Sequence, residues 1–132
     1  MVNGWSLTKL SGDTYGFVGS PVWHNAVLAQ LAVPTNEWIF IALTREGDVL
    51  RFYLNGELLS TIPYDVTDLS SAADVSLKIG HRGNPDDTPG STDPRGFYMN
   101  GLVDEVEFFN RALSPEEIAG IYNAGSGGKC MP

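Results

Sequence analysis

Apolar and polar residues alternate with period 2 over most of the chain, the pattern of half-buried strands. Trp5, Leu7 and Lys9 alternate with Ser6, Thr8 and Leu10. Tyr15 to Val18 and Ala26 to Val33 repeat the pattern, the latter ending at Pro34. Glu37 to Arg45 is apolar on both faces, with Trp38, Phe40 and Ala42 against Ile39, Ile41 and Leu43. That predicts a central strand covered on both sides, with Trp38 in the core. Trp5 is expected in the core too. Arg45-Glu46-Gly47-Asp48 reads as a turn. In the strand that follows, Leu50, Phe52 and Leu54 are predicted to point inward, Arg51 and Tyr53 outward. Asn55-Gly56 closes a hairpin, because both residues tolerate the positive φ of a type I′ turn. Glu57 to Ile62 returns. Val75, Leu77 and Ile79 supply a further inward face, and Phe97 to Asn110 a long strand.

One segment changes period. Ile118, Ile121 and Tyr122 recur at helical spacing. Ser114 is the N-cap, Pro115 sits at N1 and Glu117 at N3, which makes Ser-Pro-Glu-Glu a capping box. Leu113 and Ile118 occupy the two hydrophobic-staple positions. Gly125 is the expected stop. Gly80 to Gly96 is long, polar and without periodicity, as loops are that are either functional or disordered. Many strands with hairpin turns and a single short helix predict an all-β, two-sheet antiparallel sandwich. Residues 1–124 read as one domain and 125–132 as a Gly-rich tail.

Composition agrees with that class. The chain has 132 residues, 42% hydrophobic and 18% charged, with 15 Gly and 8 Pro. One domain with one core fits that length. Eight basic residues against 16 acidic ones give a net charge of -8. A surface so acidic excludes nucleic-acid backbones and anionic membranes as partners. No apolar run is long enough for membrane insertion. The start, Met-Val-Asn-Gly-Trp, has no basic n-region and no long apolar stretch, so no signal peptide is visible in it. The single Cys130 forms no internal disulfide, and two His with one Cys make structural zinc improbable.

Three segments carry a resemblance when taken in order. Glu37-Trp38-Ile39-Phe40-Ile41-Ala42-Leu43-Thr44 precedes Leu50-Arg51-Phe52-Tyr53-Leu54-Asn55-Gly56. Leu77-Lys78-Ile79-Gly80 follows. Last come Gly101 to Ser114, reading GLVDEVEFFNRALS, and the helix with Glu116-Glu117-Ile118 and Ile121-Tyr122. The chain resembles the laminin-G-like domains of the concanavalin A-like lectin/glucanase superfamily, closely from Trp38 to Cys130 and loosely before. The resemblance implies a jelly-roll sandwich acting as a non-catalytic module of secreted or surface proteins. Carbohydrate or extracellular protein would be its ligand, and calcium its ion. Members usually begin with further strands, including an Asp-rich segment that contributes calcium ligands. Against them the chain is short at its N-terminus. That predicts a homodimer or strand-exchanged oligomer through open sheet edges, or a longer parent protein.

Candidate chemistry lies in a few places. If 97–110 is a strand, Leu102, Asp104, Val106 and Phe108 share a face, and a carboxylate among apolar groups must be bonded or coordinated. Asp104 is therefore either a calcium ligand at the sheet margin or an acceptor of backbone N–H bonds. Glu105 and Glu107 lie on the other face at a spacing of roughly 6.5–7 Å, within reach of a glycosidase pair. However, Val106 stands where the glucanases of this superfamily place an acid. Asp86, Asp87 and Arg82 in the long loop can bind hydroxyls or an ion. Trp23, beside His24, can stack on a sugar face. Trp23, His24, Arg82, Asp86 and Asp87 are the expected ligand-binding residues and Asp104 the metal residue. No catalytic residue is assigned.

Overall fold

A computed structural model describes residues 5–10, 14–19, 24–30, 34, 36–64, 79–80 and 99–125. Six strands and one helix make up its regular structure: β1 (Trp5–Leu10), β2 (Thr14–Gly19), β3 (His24–Gln30), β4 (Ile41–Glu46), β5 (Val49–Leu54), β6 (Glu57–Pro63) and α1 (Pro115–Ala124). They form two antiparallel three-stranded meanders, β1-β2-β3 and β4-β5-β6. β3 runs close to β5 and β6, which joins the two sheets.

Turn chemistry sets the register of the second sheet. Glu46 pairs with Val49 across Gly47-Asp48, and Leu54 with Glu57 across Asn55-Gly56. Asn55 (φ 49) and Gly56 (φ 82) are both left-handed, which a type I′ turn requires. In the first turn only Gly47 (φ 55) is left-handed, which matches type II′. A bulge between Phe52 and Tyr53 makes Leu59 the additional residue of β6.

β5 is the middle strand of the second sheet and the most deeply buried of its three strands. Leu50, Phe52 and Tyr53 have no exposed surface. Phe52 pairs with Leu43 on one face; Tyr53 pairs with Ala42 on the other. The second face is roofed by α1. There Tyr53 packs with Leu113 and Ile118, flanked by Phe40, Ala42 and Ile121. Each such side chain contributes roughly 1.5–3 kcal/mol by leaving water. Tyr53 was expected to point outward and is instead core. A tyrosine ring in period 2 tells which face it takes, not whether a helix covers that face. Its hydroxyl is buried without a hydrogen-bond partner.

Two further expectations are corrected. Trp38 is 67% exposed rather than in the core. The strand begins only at Ile41, so Trp38 lies before the ladder that would have placed it. Asn55 marks the boundary: its N–H donates to the Phe40 carbonyl (2.9 Å), and the Phe40 N–H donates to Asn55 Oδ1 (3.0 Å). Moreover β4 is an outer strand of its sheet among the described residues, and β5 is the central one.

The helix forms as its local signals require. Ser114 (φ -71, ψ 160) caps it, and the reciprocal capping box with Glu117 is complete. Leu113 and Ile118 are buried as the staple. Gly125 (φ 50) ends it, its N–H bonded to the Tyr122 carbonyl. Tyr122 reaches the sheet, its ring 5.9 Å from that of Phe40.

Candidate functional site

Phe97 to Asn110 was expected to form a long strand, of which residues 99–110 are described. No regular strand forms there among the described residues. The Met99 N–H donates to the Gly80 carbonyl at 2.7 Å. Every residue from Met99 to Arg111 is exposed. Glu105 is left-handed (φ 50), and one such residue breaks the alternation of faces that a flat strand needs. Asp104 is consequently not aimed at the core with Leu102, Val106 and Phe108. It sits in solvent, and its Oδ1 accepts the Glu105 N–H at 2.8 Å. The donor is the adjacent residue, not the neighbouring loop that the backbone-acceptor reading expected.

Among the described residues no three His, Cys, Asp or Glu side chains converge on a point. Trp23, Arg82, Asp86 and Asp87 lie outside the described residues. So do Trp5's side chain, Val75, Leu77, the loop from 81 and the tail from 126. His24 opens β3 opposite Gly19; its side chain is outside the description.

A concavity is formed by described residues. A shallow groove of about 390 Å³ lies between the chain at 109–113 and the outer side of α1. Phe109, Leu113, Ile121, Gly120 and Ala124 make it apolar, and Arg111 and Glu117 are its polar members. Both polar groups are engaged. Arg111 holds Glu117 in a bidentate pair, Nη1 to Oε2 and Nη2 to Oε1, each 2.7 Å. The Ser114 N–H donates to Glu117 Oε2 at 2.8 Å. Ser114 Oγ donates to Glu116 Oε2 at 2.8 Å and accepts the Glu117 N–H at 3.2 Å. A charge-assisted fork of this kind is strong for its class. It holds the segment before the helix against the first turn. A groove with such lining can seat an apolar side chain; it offers no unengaged base or nucleophile among its lining residues. Sequence reasoning found the capping box but not the arginine. The signal was present as Arg111, three residues before the N-cap Ser114.

The same contacts shift the acids. Hydrogen bonds from Arg111 first, then from the Ser114 amide, hold Glu117 at about 2, below the ordinary 4.5. Its own backbone amide, then the Ser114 hydroxyl, lower Glu116. Glu117 raises Arg111. A carboxylate depressed in the folded state contributes stability that is present above its unfolded value and lost as pH falls through the folded one. The melting temperature should therefore decline between about pH 4.5 and about 2. Glu117→Gln should lack that part of the decline while keeping the part due to Glu116. Melting curves by circular dichroism at stepped pH compare the two; parallel profiles would sink the assignment. Salt should shrink the difference, because both partners are exposed.

Comparison with known proteins agrees with this fold. A family model for laminin-G-like domains, described as the concanavalin A-like lectin/glucanases superfamily, matches residues 3–119. That span includes β1, β2 and β3. No curated protein matches the chain. Among solved structures, it is similar to a crystal structure of an S-layer domain-containing protein (residues 221–444) from Clostridium thermocellum ATCC 27405. The identity is 22% and the TM-score 0.51, over 92% of this chain. The chain spans 58% of the length of that structure. Two antiparallel meanders, the capped C-terminal helix and a family match over most of its length agree: the chain belongs to the laminin-G-like family of the concanavalin A-like lectin/glucanase superfamily.

Proposed function

We propose that the chain is a non-catalytic binding module working outside the cell or at its surface, with carbohydrate as its first ligand class and extracellular protein its second. The observation that carries this reading is the family match over residues 3–119, within a superfamily named for lectins and glucanases. The surface location draws support from the description of the similar solved structure as part of an S-layer domain-containing protein.

Binding rather than hydrolysis is supported by the acids. A glycosidase needs two carboxyl groups held at a fixed separation across a sugar, roughly 5–10 Å. Glu105 and Glu107 lie on an exposed segment that no ladder of the described residues holds, and Glu105 is left-handed. Glu117 is engaged by Arg111 and Ser114.

The sugar site of this proposal is Trp23 with His24, Arg82, Asp86 and Asp87. Calorimetric titration of the full chain against a glycan panel, with and without calcium, tests it. Trp23→Ala should weaken the best ligand at least roughly tenfold, the scale of a lost aromatic stack. Asp86→Ala with Asp87→Ala should weaken it comparably. Absence of binding across the panel would overturn the carbohydrate reading. A second reading, self-assembly, is favoured by the exposed apolar residues between 99 and 109.

A further inference from the structure

The dipeptide Asn-Gly occurs at Asn3-Gly4, Asn55-Gly56 and Asn100-Gly101. The first lies outside the described residues; the other two stand in opposite settings. Asn55-Gly56 is the hairpin turn, and both of its residues are left-handed (φ 49 and 82). The Asn55 N–H and Oδ1 both bond to Phe40. Tyr122 packs so closely on Gly56 that a Cβ there would come within 2.9 Å of it. Asn100 and Gly101, in contrast, are both exposed and lie in no ladder. Among the described residues no hydrogen bond engages the Asn100 side chain or the Gly101 N–H. Space around Gly101 is open: a Cβ built there would meet only the Met99 side chain, at 3.5 Å.

We infer that Asn100-Gly101 is a site of spontaneous covalent modification, and that the fold withholds the same chemistry from Asn55-Gly56. The only co-reactant is water. The glycine backbone nitrogen gives up its proton to hydroxide and attacks the asparagine Cγ. A C–N bond forms, the bond from Cγ to the side-chain nitrogen breaks, and that nitrogen leaves as ammonia after taking a proton from solvent. Water then opens the five-membered succinimide at either carbonyl, giving aspartate or isoaspartate. Overall one water is consumed and one ammonia released, with nothing oxidised or reduced. The attack requires the next residue's nitrogen to eclipse the asparagine Cβ about the Cα–C bond. In a type I′ turn the first central ψ is about +30°, the mirror of type I, which turns the Gly56 nitrogen nearly opposite to that Cβ. Ring closure at Asn55 therefore demands that the turn come apart, with its bonds to Phe40 and its contact with Tyr122. A group that reacts only from an opened state is slowed in proportion to the fraction open. Asn100 meets no such barrier, because glycine admits a wide range of backbone rotation and no described bond holds its nitrogen. Each conversion adds one carboxylate to a chain that already carries -8, and the isoaspartate form reroutes the backbone through the side-chain carbon.

The test is a time course of the full 132-residue chain at mildly alkaline pH, native and in concentrated guanidinium chloride, read by tryptic mapping. Asn55 falls in the peptide from Phe52 to Lys78 and Asn100 in that from Gly96 to Arg111. Conversion appears as the mass gained when the amide nitrogen is replaced by oxygen, fragmentation assigns the residue, and chromatography separates isoaspartate from aspartate. In the native chain Asn100 should convert at least roughly tenfold faster than Asn55, as for a turn open no more than a tenth of the time. In denaturant the two rates should come together, because the fold no longer distinguishes the two dipeptides. Asn100→Gln should abolish conversion at that position and leave Asn55 unchanged. An Asn55 that converts as fast as Asn100 in the native chain overturns the protection. An Asn100 that converts far more slowly in the native chain than in denaturant overturns the exposed site. Rates that stay as far apart in denaturant assign the difference to local sequence and overturn the structural account.

Discussion

Phe52→Ala is expected to cost about 3–5 kcal/mol, the range for removing a large side chain from a packed core. Phe52 has no exposed surface and sits on the middle strand of its sheet. Its backbone is held on both sides, by Leu43 and by Ser60. Collapse around the lost ring is therefore restricted, and a cavity remains. Domains of this size are stable by about 5–15 kcal/mol in all, so the loss takes a large share. At about 3–5 °C per kcal/mol for a chain of this length, the melting temperature should fall by roughly 9–25 °C. Leu58→Ala on the neighbouring strand is the control. Leu58 is 46% exposed, and about 1 kcal/mol or less is expected. Urea titration of both variants measures the contrast. Equal losses would mean that β5 is not the core strand.

Gly56→Ala should cost about 2–5 kcal/mol although it adds one methyl group to a half-buried turn. Two separate terms combine. Gly56 has φ 82, and a side chain in the left-handed region costs about 1–2 kcal/mol. A Cβ at that position would also meet Tyr122 of α1, 2.9 Å from Cδ1 and 3.1 Å from Cβ. The ring can turn away, but the Tyr122 Cβ moves only with the helix. Overpacking of this kind costs about 1–3 kcal/mol. The terms can be told apart by repeating the substitution in a Tyr122→Ala background. There the methyl group has room, and only the backbone cost of about 1–2 kcal/mol should remain. If the loss is the same in both backgrounds, the hairpin and the helix do not bear on each other.

These two positions show how the fold's legibility is divided. Asn55-Gly56 was readable as a turn, because two residues that tolerate positive φ suffice to name it. The approach of Tyr122, 66 residues further on, was not. The helix was readable from Leu113 to Gly125 because its cap, staple and stop act within a few residues of each other. Tyr53 and Trp38 were misplaced for one shared reason. Period 2 says that neighbouring residues take opposite faces, and nothing about which element covers a face or where pairing starts. α1 covers Tyr53; the ladder begins after Trp38. Asp104 was misplaced because an alternating pattern was read as a strand where Glu105 (φ 50) turns the chain instead.

By itself, the sequence determined the strand class, the two hairpin turns, the capped helix and the family, since each rests on contacts between near neighbours or on ordered motifs. Only the tertiary structure decided that β5 is buried on both faces, that Arg111 locks the helix start through Glu117, and that Phe109 lines the groove beside α1. Those outcomes depend on which distant surfaces come together, and burial is a property of the pair of surfaces rather than of either stretch of chain.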